Sequence, residues 1–404
     1  MKLNSITPNN LIDTLSSTQK KVARFINMNE SEADLTTVRL GQDIATNWIP
    51  KVPFVRSLAD FADMSVLEFS ENALVYFGPR LLGENLFRKV YSKHLDAVLQ
   101  KKIATPAVDL LASKDKDTKI LMPIKAAIAV ACLAIPLAEY SLNYVKNLFT
   151  LKVFKQADFN NIANLNKNKI EDPEHQKKVK ESAKKHIKLA GLLTAGCFAL
   201  SALLATKGKN SKFLSSLSEA VLAPGNKLFK NDAKKAVKFN KYFSIDFANK
   251  NGRLVMSNGQ LTSCVVVGGV GYFGSAKDRG KQNFLEVLYR FPLVGFYVIT
   301  GSTLFEKGFK KMLQNKESYK NIIGKDLAVP KLHELPQLAQ KIAAKNKTSV
   351  EAEYKKLFKQ KSMIVLAPFL FSVGVMGFFV AGVSRYFTQY RYNRDAKRHG
   401  GKEA

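Results

Sequence analysis

The chain has 404 residues, with 63 Lys or Arg against 33 Asp or Glu, a net charge of +30. Its 46% hydrophobic content is enough for a core, which excludes wholesale disorder. The basic residues are 51 Lys and only 12 Arg, which argues against nucleic acid as a partner: Arg has the planar fork that matches phosphates and base edges, and this chain has few.

The amino terminus, MKLNSITPNNLIDTLSS, lacks the apolar stretch of a secretory signal, so membrane insertion is expected to use internal segments. Residues 1–118 hold 15 basic and 14 acidic residues and read as a helical soluble or peripheral domain. Within it, Pro50 and Pro53 mark a connector. Leu58, Phe61, Val66, Leu67, Phe69 and Leu74 keep helical spacing until Gly78-Pro79.

Residues 119–404 read as a membrane domain. Leu121–Asn143 is an apolar run of 23 residues, about 34 Å as a helix, against a hydrocarbon core of about 30 Å. Lys125 and Glu139 are expected to snorkel outward from it and Pro136 to kink it. A second run, 187–206, carries small residues at Gly191, Ala195 and Ala199, spaced for close helix contact. Tyr242–Gly269 is rich in β formers and punctuated by Asn251-Gly252 and Asn258-Gly259, predicting a small β-hairpin element, with Leu261–Phe273 as a strand or short re-entrant piece. The third run, 284–305, has Glu286 and Arg290 in its first turns, spaced for a helical ion pair. The fourth, 362–385, is uncharged until Arg385 and is followed by Tyr386, Tyr390, Arg391, Tyr392 and Arg394, which are expected to act as interfacial anchors. The fold class is therefore mainly α: a multi-pass helical membrane protein of about four spans. Its long basic loops are 144–186, 207–260 and 306–361. Apolar residues at helical spacing in the last two suit surface-lying or ordinary packed helices.

Cys132, Cys197 and Cys264 each sit in an apolar run and read as small hydrophobes, and the histidines form no ligand spacing. No metal, cofactor or catalytic set is expected: GxSxG, HExxH and the Walker lysine loop are all missing from the sequence. Gly269-Val270-Gly271-Tyr272-Phe273-Gly274 matches GxGxxG, but the polar SAKDRGKQN that follows provides no second strand. The glycines are read instead as a turn or a close-packing face.

Asp278, Arg279, Lys281, Asn283, Glu286 and Arg290 form the candidate functional cluster, because ionisable residues at a membrane edge are costly to keep. Asp278 or Asn283 is positioned to cap the helix beginning near Phe284. Over eight residues, Gly274-x-x-x-Asp278-Arg279-Gly280-Lys281 resembles the GxxxDRxG loop motif of major facilitator transporters, with one residue missing between Arg279 and Gly280. That resemblance implies a gating latch in which Asp278 pairs with a neighbouring helix. Ile135-Pro136-Leu137 with Leu148-Phe149 is echoed at identical spacing by Phe291-Pro292-Leu293 with Leu304-Phe305, a pattern that suits duplicated transporter halves.

The function expected from these features is that of a non-enzymatic integral membrane protein organising lipid or protein partners through Lys-rich loops. Its partners would be an anionic membrane and protein partners or a second copy. The alternative is a small-solute carrier that uses the charges at the 278–290 helix entrance.

Overall fold

The computed structural model describes residues 8–30, 40–93, 95–113, 116–166, 170–250, 253–255 and 257–398. It is mainly helical. Among the described residues four helices are long and apolar enough to cross a membrane: Thr118–Phe154, Pro173–Asn210, Lys281–Gln314 and Val350–Arg398. Each contains one of the four predicted runs. The segments between those runs, read from sequence as loops, are themselves largely helical.

By packing, the chain divides into two units, Met1–Pro50 with Phe296–Phe379 and Lys51–Gly295 with Val380–Ala404. The first has a core built from Leu15, Ile26, Ile323, Leu335, Tyr354 and Phe358. Its Val350–Phe371 helix is tied down by Lys361, whose ammonium lies 2.5 Å from the Glu30 carboxylate and donates to the Pro330 carbonyl. A buried lysine with a carboxylate and a carbonyl in reach keeps its charge compensated.

The second unit is organised around the Ala134–Phe154 helix, which packs against Leu58–Gly78, Pro173–Lys207 and Asn258–Asp278. Pro136 does more than kink the first predicted run. Lacking an N–H, it cannot bond the Cys132 carbonyl, and the helix divides there into Thr118–Ala131 and Ala134–Phe154. Pro292, its counterpart in the sequence echo, lies instead inside an unbroken helix. Pro79 also fails to stop its helix and opens a wider π-helical stretch, Pro79–Arg88.

Three expectations need correction in this unit. Lys125 does not snorkel outward: its ammonium lies 2.9 Å from both an Asp246 carboxylate oxygen and the Ile103 carbonyl, inside the core. Glu139 also turns inward, against Gly268. The β element predicted over 242–269 is largely absent, because Leu261–Phe273 lies within the Asn258–Asp278 helix, capped by the Ser257 hydroxyl. Ala248 and Val255 face each other across a pair of three-residue segments, and Asn251-Gly252 lies outside the described residues.

The physical reason for that helix is burial. A Cβ on Gly271 would fall 2.6 Å from the Tyr140 carbonyl oxygen, and one on Gly268 would fall 2.9 Å from the Glu139 carboxyl carbon. The glycines that weaken helix propensity thus let two helix backbones meet, and tertiary packing overrides the local β preference of Val265–Val267. The GxGxxG match is this packing face. Gly259, read from sequence as a hairpin turn, is also a close approach, its Cβ position lying 1.6 Å from the Ser244 carbonyl oxygen.

Replacing Gly271 with Leu is expected to cost about 1–3 kcal/mol through overpacking against backbone. Gly191→Leu, where a Cβ meets nothing within 4 Å, should be nearly neutral. Thermal unfolding of the detergent-solubilised variants compares the two directly, and equal losses would contradict the packing assignment.

Candidate functional site

The site lies in the second unit and starts from the Leu58–Gly78 helix. Asp60, Asp63, Glu68 and Glu71 recur along it at spacings that put all four on one side. Ser57 caps the helix by accepting from the Asp60 N–H, which fixes where the row begins.

Asp63 holds the best-defined interaction. Arg279, 1% exposed at the end of the Asn258–Asp278 helix, donates from Nη1 to one Asp63 oxygen at 2.9 Å and places Nη2 2.8 Å from the other as an ion pair. The Thr150 hydroxyl donates to the same carboxylate at 2.6 Å, and the Lys146 ammonium lies 3.5 Å away. Burial works against ionisation of Asp63, but the Arg279 and Lys146 charges and these hydrogen bonds outweigh it and hold the pKa down at about 2.

Asp60 leads to a second branch. Its carboxylate lies 2.6 Å from Arg385 Nη2, and Arg385 Nε is 3.7 Å from Glu286. Thr388 donates to Glu286 at 2.8 Å, and Arg391 donates to the Thr388 hydroxyl. Arg56 closes this branch by donating to Gln389 and to the Arg385 carbonyl. Burial pushes the Asp60 carboxyl up in spite of Arg385. In a third branch Lys51 pairs with Glu68, and Arg290 donates to the Tyr272 hydroxyl. Lys51 brings Glu68 below its ordinary value against the effect of burial. Glu71 is raised well above the carboxylate range, by burial first and then by Glu139 and Glu68. Burial also pushes the Tyr272 phenol up to about 12.

These branches surround a cavity of ≈ 50 Å³ faced by Lys51, Lys146, Arg290 and Arg385 and by Asp60, Asp63, Glu68 and Glu286. Four cations and four anions balance. A space of that size suits a water or two, or a small ion, and is far below the roughly 300 Å³ or more of an organic ligand pocket.

The structure brings together part of the sequence-based cluster. Asn283, Glu286 and Arg290 line the cavity, and Arg279 stands behind Asp63. Lys281 lies at the surface, 3.2 Å from Asp395. Asp278 caps nothing: it ends its helix and accepts from the Ser182 hydroxyl at 2.6 Å, while its carbonyl meets His175 Nε2 at 2.7 Å. Asn283 is not a cap either, because the next helix starts at Lys281. Glu286 and Arg290 turn to separate partners, and Arg391 points inward where an interfacial anchor was expected, as does Arg385 at the end of the apolar run.

Asp60, Asp63, Glu68, Lys146, Tyr272 and Lys51 were not found from sequence. The available signal was the one-sided row of acids in the Leu58–Gly78 helix.

No family model, curated protein or solved structure matches the chain.

Asp63→Asn should leave Arg279 buried beside a neutral partner and cost about 3–5 kcal/mol at neutral pH. The pH dependence has a definite sign. The folded-state value, about 2, lies below the ordinary 3.8, so the stabilisation is complete above about pH 4 and is lost as pH falls toward 2. Unfolding measured from pH 5 to pH 2 should therefore show the native protein losing about 2 kcal/mol more than the Asn variant.

Proposed function

We propose that the chain is a multi-pass integral membrane protein that moves a small charged solute, with the ionic network around the cavity as its gate. The observation that carries this reading is the cavity lining, in which eight balanced charges converge from several helices on a space of ≈ 50 Å³. Ionisable groups packed among membrane helices mark ion or solute paths far more often than they serve stability alone. Buried ion pairs are in themselves weak stabilisers compared with apolar packing.

Membrane insertion is supported by three of the four apolar helices, in which only 17% of the apolar window is buried. Leu189, Leu192 and Leu193 on one and Leu288, Leu293 and Phe296 on another face outward, an apolar surface that suits lipid. The Thr118–Phe154 window is 83% buried, the position of a central helix in a bundle. A gate is supported by the alternation of charge: opening the cavity requires exchanging partners within the network, and no net charge has to be left uncompensated. The latch implied by the facilitator-like motif is part of this reading, and the hydrogen bond from Ser182 of the Pro173–Lys207 helix to Asp278 is what supports it.

A second reading, the organisation of lipid or protein partners without transport, is supported by the lysines exposed on the outer helices of the same unit. The two readings part on flux.

Purified protein in sealed vesicles, loaded with dyes for protons, chloride and potassium in separate preparations, tests the carrier. At least one ion should move faster than in empty vesicles. Arg290→Gln should reduce that rate at least tenfold while the protein remains folded. Absence of flux for all three ions, or an unaltered rate in the variant, would favour the organising role. Crossing is tested separately by labelling single cysteines. On the four-span reading, positions in 144–186 and 306–361 should react from one face and positions in 207–260 from the other.

A further inference from the structure

A run of lysines begins where the Pro173–Lys207 helix ends. From 207 to 243 there are nine Lys against Glu219 and Asp232. This stretch is folded. Helix Lys212–Leu222 packs on Thr118–Ala131, burying Leu222 and half-burying Leu214, Leu217 and Val221 in the core. Pro224–Leu228 packs on Ala233–Phe243, where the Gly225 N–H donates to Asn240 at 2.7 Å and a Cβ on Gly225 would fall 2.4 Å from the Ala236 carbonyl. The inner faces are thus accounted for.

The outer faces are not. On the Ala233–Phe243 helix Ala236 and Asn240 are buried, while Lys234, Val237, Lys238 and Lys241 share the opposite side at helical spacing, and all four are exposed. Val237 is 69% exposed, and Phe213 and Leu228, elsewhere in the stretch, are 75% and 64% exposed. Large apolar side chains interleaved with lysines make a poor water-facing surface and a good one for the headgroup boundary.

We propose that this face of the Ala233–Phe243 helix docks on the anionic lipid surface of the membrane that the neighbouring helix crosses. Continuity supports that occupant. The lysine series opens at Lys207, one residue past the apolar run ending at Thr206, so the module is tethered within reach of the headgroups. Charge complementarity supports it too, since clustered lysines beside a span are attracted to anionic lipid. Lys in place of Arg argues against nucleic acid, which would use the guanidinium fork. The inference rests on membrane insertion but not on transport, so an absence of flux leaves it standing.

The test uses the full chain in vesicles of neutral lipid or of neutral lipid with phosphatidylserine. A fluorophore is attached at Val237→Cys, on a background with alanine at Cys132, Cys197 and Cys264, and quenched by brominated acyl chains. Quenching should rise about twofold or more with phosphatidylserine, fall with added salt, and be lost when Lys234, Lys238 and Lys241 become Gln. If the cysteine-free background fails to fold, tryptic cleavage of the native chain after Lys234 and Lys238 replaces it: phosphatidylserine vesicles should protect these sites and neutral vesicles should not. Equal quenching or equal cleavage in both lipids would overturn the proposal. So would probe changes driven by an oligonucleotide and not by lipid.

Discussion

The second unit depends on the grip of Arg279 on Asp63. It joins the end of one helix to the first turns of another, distant in sequence, and it does so with a guanidinium that is almost wholly removed from water. Such a pair offsets its desolvation through close ionic contact and through hydrogen bonds to its remaining polar atoms. Thr150 and Lys146 supply these on the carboxylate side, from the central helix that both partners pack against, while Arg279 Nε is buried without a hydrogen-bond partner among the described residues. The Arg279 carbonyl contributes as well, by accepting from the Phe159 N–H and so fixing the turn that follows the central helix. One ion pair thereby sets the relation of three helices and a connecting turn.

Close approach of backbones makes that arrangement reachable. With a larger residue at Gly271, where a Cβ would fall on the Tyr140 backbone, the Asn258–Asp278 helix would stand off from Ala134–Phe154, and Arg279 at its end would be drawn away from Asp63. Electrostatics and packing are therefore coupled in this unit. Glycine, with no side chain of its own, determines how deep the charge sits.

Much of the helical framework was legible in the sequence, because long apolar runs need a helix wherever they are buried. The four runs each fall within a helix long enough to cross a membrane. The fates of Lys125, Glu139 and the 258–278 segment were not legible. A lone charge in an apolar run reads as a residue seeking water, and only the fold shows that Asp246, far along the chain, supplies a partner for Lys125. Val-rich and Gly-rich stretches likewise read as strand and turn until a neighbouring helix is available to pack against them. The cluster at 278–290 was half legible for the same reason. Its own charges are contiguous, whereas the acids they answer to are set on one face of a helix two hundred residues earlier, and no local pattern connects the two.

The level of the network along the helices bears on how its charges are tolerated. Asp278 meets His175 and Ser182, and the Tyr144 ring stacks on His186 at 4.3 Å. All three contacts lie on the charged first half of the Pro173–Lys207 helix, before its apolar run begins at Ile187. If that run occupies the hydrocarbon, the Arg279 end of the network stands at the edge of the bilayer, where charge costs least. The opposite end of the same apolar run is where the lysine module begins. The first half of that helix turns His175, Ser182 and His186 inward, toward Asp278 and Tyr144, and turns Lys177, Lys178, Lys180, Lys184, Lys185 and Lys188 outward. Its apolar run therefore has exposed lysines on both sides, and the inward contacts at its start are hydrogen bonds and a ring stack, which leave the ion pairs to the helices behind.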